Sequence, residues 1–322
     1  MTTNQMWYAL SPAAFDPASI DEETRQLNDL IEQTLAAFPP LNTRDPVEVR
    51  REREEGKGPF PPLQLSPLAT EREIRGPAGP LKLRVFARNE PRGVYFHIHG
   101  GGWTLGGAHH QDPLLLALAD DCELAVVSVE YRLAPEHPYP AGPDDCEAAA
   151  LWLLEHARAE LGSDRLLIGG ESAGAHLSAV TLLRLRDRRG ATGFVGANLV
   201  YGAYDLTFTP SVRNWGERNL ILNTPIIEWF TDQFVPRERR ADPDVSPLRA
   251  DLRGMPPALF TVGTLDPLLD DSLFMHGRWL AAGNRAELAI FPGGIHAFNA
   301  FPCKLAQAAH RRQVEFVKSV LG

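Results

Sequence analysis

The sequence predicts an α/β protein whose central sheet is mostly parallel and covered by helices on both faces. Three observations carry that expectation. From residue 72 onward, strand-length apolar segments alternate with longer helical patterns, and those segments are apolar nearly throughout. A serine flanked by glycines also sits where a strand gives way directly to a helix. Strands buried on both faces lose the polar alternation of a half-exposed strand, and βα alternation is the pattern a parallel sheet requires. With 322 residues the chain is long enough for one large core with an inserted cap.

Taken in order, residues 1–60 stand apart from the rest of the chain. Residues 20–38 place Leu27, Leu30, Ile31 and Leu35 at helical spacing, and Pro39-Pro40 stops the pattern. Residues 47–57 are densely charged with both signs mixed, which reads as a solvated helix face or linker, and 59–67 are proline-rich. Strands are expected at 81–88 and 93–98, a helix at 111–121, a strand at 124–131 and a helix at 143–161. The latter helix carries Asp144 and Asp145 where acids suit a first turn. A strand over 164–169, the serine, a helix from Ala175 and a strand at 194–201 come next. Residues 206–240 break the alternation with short aromatic-rich pieces around Trp215, Trp229 and Phe230. It resumes with a strand at 258–262, a helix at 267–282, a strand at 286–291 and a helix at 304–321. The expected organisation is a cap portion at 1–60, core at 61–205, a cap insertion at 206–240 and core at 241–322.

Composition narrows the function classes. Hydrophobic residues make up 44% and charged residues 23%, an ordinary globular balance. A net charge of −9 argues against an extended nucleic-acid surface. The three cysteines, Cys122, Cys146 and Cys303, are odd in number and match no metal spacing, which fits a reducing compartment. The first ten residues show neither a basic start nor an apolar run of the signal-peptide kind, and no segment reaches the ~18 apolar residues of a membrane span. A cytoplasmic location and no membrane partner are therefore expected.

The stretch that concentrates chemistry is Gly170-Glu171-Ser172-Ala173-Gly174. It fits the G-x-S-x-G elbow, in which a strained turn lifts the serine hydroxyl into a crevice above the sheet. The helix N-terminus behind it presents free N–H groups and positive partial charge. A second constellation, His99-Gly100-Gly101-Gly102-Trp103, comes after the strand at 93–98. Three consecutive glycines allow backbone N–H groups to converge on one point, where a developing oxyanion could sit. A phosphate loop is excluded by spacing, because Gly107 or Ala108 stands where the lysine would be needed.

A serine nucleophile needs a base, and the base an orienting acid. Of ten histidines, His109 and His110 fall in a loop and His156, His176 and His310 on helices. His296 instead comes directly after a strand, in a glycine-containing turn, although a solvated loop histidine would look the same. His97 and His99 share one strand face as two metal ligands could, but no third ligand stands out. Asp266 closes the strand at 258–262 with Pro267 suited to the first helical position, whereas Asp270 and Asp271 lie within the helix, where acids are common anyway. Ser172, Asp266 and His296 occur in the chain order of α/β-hydrolases.

With these residues in place, the chain resembles the hormone-sensitive-lipase family of carboxylesterases, bacterial lipolytic family IV, over roughly residues 72–322. His99 to Trp103 is similar to the family's HGGG[FW] motif, and Tyr131-Arg132-Leu133-Ala134-Pro135-Glu136-His137-Pro138-Tyr139-Pro140-Ala141 matches its YRLAPEHP-[FY]-PA signature, the more specific of the two. The resemblance implies an α/β-hydrolase fold with a helical cap. It implies Ser172 as nucleophile, Asp266 as orienting acid, His296 as base and the amides of Gly101, Gly102 and Ala173 as oxyanion donors, with Trp103 a candidate for the substrate pocket. It implies hydrolysis of short- to medium-chain carboxylic esters, a small-molecule ester as partner and neither metal nor organic cofactor. A homodimer stays open, as do amidase, lactonase or carbohydrate deacetylase activity with the same triad. A non-catalytic receptor is the remaining alternative, disfavoured because the histidine is present. Three positions depart from the family pattern: Glu171 replaces aspartate, and Ala175 and Ala297 replace glycines. The signature segment is expected to act structurally, through its prolines and Arg132.

Overall fold

A computed structural model of the chain describes residues 9–322; most of the N-terminal stretch read above for a leader lies outside the described residues. Eight strands form one sheet in the order β1-β2-β4-β3-β5-β6-β7-β8. They are β1 (Thr70–Gly76), β2 (Gly79–Phe86), β3 (Gly93–Ile98), β4 (Leu124–Val129), β5 (Leu166–Glu171), β6 (Phe194–Val200), β7 (Ala258–Leu265) and β8 (Ala286–Ile295). The β1–β2 and β2–β4 pairs are antiparallel, and every pair from β4 to β8 is parallel. Every residue of β3, β4 and β5 is buried, as expected for strands covered on both faces. β1 lies at the sheet's edge and is strongly polar, which is why its sequence gives no strand signal of the buried kind.

Helices α1 (Glu22–Ala36) and α2 (Pro46–Glu54) precede the sheet, and α3 (Asp112–Cys122), α4 (Ala141–Leu161) and α5 (Ala173–Arg189) cross between strands. Then come α6 (Pro210–Trp215), α7 (Thr224–Phe234), α8 (Leu269–Ala281) and α9 (Lys304–Leu321). α4 packs against α5, and α3 against α9, so apolar helix faces cover the sheet from both sides. α8 begins at Leu269, so Pro267 lies ahead of the helix rather than at its first position.

The N-terminal helices are tied to the rest. Asp21 caps α1 by accepting from the Thr24 amide at 2.7 Å. Its inward side carries Thr24, Asn28 and Ile31, while Leu30, expected on the apolar stripe, points outward. The Asn28 side chain donates to the Gly293 carbonyl at 2.8 Å, a polar anchor that outranks the apolar pattern here. The charged segment at 47–57 is not simply a solvated face or linker. It forms α2, capped by Asp45, and Arg50 donates to the carbonyl of Thr104 at 2.7 Å and pairs with Glu136. Residues 41–43 pack on α7, and Glu32 of α1 pairs with Arg218 at 2.9 Å, so the segments flanking the sheet's C-terminal edge meet.

Candidate active site

The site is assembled from loops at the C-terminal ends of β3, β5, β7 and β8. β5 ends at Glu171 and α5 begins at Ala173, leaving Ser172 alone in the turn with φ 57° and ψ −120°. That backbone is strained for a residue with a side chain and holds the hydroxyl clear of the sheet. The flanking glycines have a steric cause. A Cβ at Gly170 would lie 2.0 Å from the Ile98 carbonyl oxygen, and one at Gly174 1.9 Å from the same atom. Both strand and helix therefore press on the end of β3, and only glycine fits.

His296 comes directly after the last residue of β8, which runs four residues further than the sequence pattern indicated. Its Nε2 lies 2.9 Å from Ser172 Oγ and its Nδ1 2.9 Å from Asp266 Oδ2. A carboxylate only accepts, so Nδ1 carries the hydrogen and Nε2 offers its lone pair to the serine hydroxyl. The second oxygen of Asp266 accepts the Leu268 amide at 2.8 Å, which fixes the carboxylate at the end of β7. Asp266 and His296 are both buried, and the Tyr201 ring lies 4.7 Å from the imidazole, centroid to centroid.

The glycine loop runs beside the serine. A Cβ on Gly100 would sit 2.7 Å from the Glu171 carbonyl, while Gly101 and Gly102 have φ of 115° and 58°. A Cβ on Gly102 would meet the Phe230 ring at 2.3 Å, so the segment between β6 and β7 lies directly against the loop. The Ser172 amide is occupied by the Val200 carbonyl at 2.9 Å. Among the described residues no acceptor meets the amides of Gly101, Gly102 and Ala173.

Trp103 corrects the sequence reading of it as a pocket residue. At 4% exposure its indole is packed away from the cavity, stacked on Phe234 at 4.6 Å and donating to His176. A third consecutive positive φ, 59° at Trp103, turns the side chain off the loop's open face. His97 and His99 do not share a ligand. His97 Nδ1 lies 2.8 Å from Ser128 Oγ and its Nε2 3.0 Å from Glu171 Oε2, whereas His99 Nδ1 donates to the Gly100 carbonyl at 2.8 Å. Burial pushes His99 down to about 3, so it is neutral, with its ring stacked on Tyr131 at 4.2 Å. The His97 contact shows what Glu171 does: it is held beneath the elbow by an imidazole from the neighbouring strand. Ala297 has φ 60°, the left-handed conformation for which glycine is the natural residue.

The signature segment is braced internally. Arg132 makes a bidentate pair with the buried Asp145 at 2.8 and 2.9 Å, and the Tyr131 hydroxyl donates to the His99 carbonyl at 3.0 Å. A cavity of about 380 Å³ opens over Ser172 and His296, lined also by Gly101, Tyr201, Ile221 and Phe230. A larger one of about 940 Å³ adjoins it past Glu171 and Ala297 but touches neither Ser172 nor His296. Nothing in the local sequence marks Tyr201, Phe230 or Arg50 as cavity-lining residues, because which aromatic or cation faces a distant loop is set only by the fold.

Comparison with known proteins agrees with this architecture. A family model described as the alpha/beta hydrolase fold matches residues 95–300. Carboxylesterase NlhH of Mycobacterium tuberculosis is 37% identical over 300 residues, 88% of this chain and 92% of its own length. Carboxylic ester hydrolase LipN of the same organism is 36% identical over 252 residues, 74% of this chain and 66% of that relative, just under two thirds. Among solved structures, a hyperthermophilic esterase from the archaeon Pyrobaculum calidifontis superposes with a TM-score of 0.82 at 30% identity, covering 92% of this chain and 98% of the other. A hormone-sensitive lipase from a metagenome library superposes with a TM-score of 0.81 at 26% identity, covering 94% and 99%. The chain belongs to the α/β-hydrolase fold family and, within it, to the hormone-sensitive-lipase-type carboxylesterases.

Proposed function

We propose that this carboxylic ester hydrolase works by acyl transfer through Ser172. His296 Nε2 removes the hydroxyl proton as Oγ attacks the ester carbonyl carbon, and the imidazolium so formed then protonates the departing alcohol. The C–O bond to the alcohol breaks and an acyl-serine remains. Water, deprotonated by the same imidazole, attacks the acyl carbon; the bond from that carbon to Oγ breaks, the carboxylic acid leaves, and the imidazolium returns its proton to Ser172 Oγ. Asp266 holds the imidazole in the productive tautomer. The amides of Gly101, Gly102 and Ala173 receive the oxyanion, each such donor being worth about 10²–10³ in rate. The observation that carries this reading is the pair of 2.9 Å contacts linking Asp266 to His296 and His296 to Ser172.

Residues 1–60 and 206–240 are proposed to cap the cavity jointly, a reading supported by the packing of 41–43 on α7 and by Phe230 and Ile221 in the lining. A cleft of about 380 Å³ is near the lower end of the ~300–1,000 Å³ usual for small-molecule sites, which favours short- and medium-chain esters.

The test compares wild type with Ser172→Ala on p-nitrophenyl butyrate. A kcat lower by about 10⁴–10⁶ with an unchanged circular dichroism spectrum supports the mechanism, and equal activity of the two proteins refutes it. An acyl series from acetate to palmitate tests the size argument. Rates that climb through to palmitate would overturn it and place long chains in the adjoining larger cavity.

A further inference from the structure

We propose that Glu54, His109 and His110 form a binding site for a single zinc ion, separate from the serine chemistry. Glu54 is the last residue of α2, while His109 and His110 lie in the turn between the glycine loop and α3. The fold brings them together across more than fifty residues of sequence. His109 Nε2 lies 3.0 Å from each carboxylate oxygen of Glu54, and His110 Nε2 lies 2.8 Å from Oε1. The two rings meet edge to face, 4.6 Å apart at 83°, so their nitrogens reach the carboxylate from nearly perpendicular planes. Among the described residues this is the one group of three His, Cys, Asp or Glu side chains whose donor atoms all fall within 4.8 Å of one another.

Two imidazoles and one carboxylate are the protein donor set of a zinc site that keeps its fourth position for water. Ligand atoms 2.0–2.1 Å from a tetrahedral ion stand about 3.3 Å apart, so the contacts here need to widen by only a few tenths of an ångström. Imidazole nitrogen selects against the hard ions magnesium and calcium, which take oxygen. Without metal, each Nε2–H donates to Glu54. With metal, each Nε2 must present its lone pair, so its proton moves to Nδ1, or leaves if the ring was charged.

One carboxylate and one guanidinium border the group. The carboxylate of Glu130 accepts the Ala108 amide at 2.8 Å beside the pair, and the guanidinium of Arg53, whose charge reaches His110, donates to the carbonyls of Phe60 and Pro61. His109 and His110 keep 27% and 17% of their side-chain surface exposed, so an ion could exchange with solvent. Bound there, it would fasten α2 to the loop that starts with the oxyanion glycines, at the rim where His110 lines the cavity.

Calorimetric titration of metal-stripped protein with zinc chloride, with magnesium chloride as the control, tests this without reference to turnover. The expected result is one equivalent of zinc bound at micromolar Kd or tighter, no binding of magnesium, and an unfolding midpoint raised by several degrees at saturating zinc. Glu54→Gln and His109→Asn, both at partly exposed positions, should each weaken binding at least about tenfold, whereas His296→Ala should leave it unchanged. No zinc binding at submillimolar concentration would overturn the proposal. So would binding that survives both Glu54→Gln and His109→Asn, or binding that is lost in His296→Ala, which would place the ion at the serine site.

Discussion

The indole N–H of Trp103 donates to Nδ1 of His176 at 3.0 Å, and this bond fastens the glycine loop to the first turn of the helix after Ser172. The other imidazole nitrogen of His176 donates to the Val245 carbonyl at 2.8 Å, so one buried ring joins the glycine loop, α5 and the segment that follows residue 240. The amides proposed to hold the oxyanion are thereby positioned relative to the serine by a neutral histidine.

Burial pushes His176 down to about 4 and His99 to about 3, below the ~6.5 of an unfolded histidine. Each ring is neutral when folded, and the unfolded chain binds the extra proton as pH falls. The stability they contribute is complete above about pH 6.5 and declines as pH drops toward 4, by about 1.4 kcal/mol per pH unit for each ring. Urea unfolding of wild type and His176→Asn at several pH values between 4 and 7 should show a shallower decline in the variant. Parallel profiles would show that His176 titrates alike in both states. Trp103→Phe, which keeps an aromatic ring but loses the donor and part of the buried volume, should cost about 2–3 kcal/mol of stability and lower kcat more than it alters KM.

Asp266→Asn tests the orienting role. The amide is isosteric, but its NH2 group directed at Nδ1 would force the hydrogen onto Nε2 and take away the base facing Ser172. Steady-state kinetics should show a kcat lower by about 10⁴, with little change in the circular dichroism spectrum. A variant within tenfold of wild type would mean that the imidazole is oriented by other contacts, such as the Tyr201 ring.

Ala297 carries φ 60° and ψ 21° immediately after His296. A left-handed conformation costs an L-residue about 1–2 kcal/mol, against about 0.4–1 kcal/mol of extra chain entropy that glycine loses on folding. Ala297→Gly should therefore raise the unfolding free energy by about 0.5–1 kcal/mol, seen as a higher urea midpoint with an unchanged m-value. A lower midpoint would show that packing of the Ala297 methyl group outweighs the strain.

Much of this arrangement is legible in the chain itself. Gly170 and Gly174 mark the elbow because a side chain at either would strike the end of β3, a constraint written into the local sequence. Apolar strands such as β4 announce burial on both faces by their composition. The polar edge strand β1 escapes because an edge need not be apolar. Leu30 and Trp103 mislead for a related reason: each is apolar, but whether it faces core, cavity or water depends on partners far along the chain.

By itself, then, the sequence determined the α/β alternation, the elbow and the glycine loop, since each rests on steric or hydrophobic rules acting over a few residues, and it marked Asp266 and His296 only as candidates at strand ends, which the fold then brings to Ser172. Tertiary structure alone decided that Arg50 reaches the Thr104 carbonyl, that His97 braces Glu171, that Trp103 turns inward to His176 and that Glu54 meets His109 and His110. Those are pairings of polar groups between distant segments. Each polar group has many possible partners of similar energy, and only the packing of the sheet and its helices determines which one comes within reach.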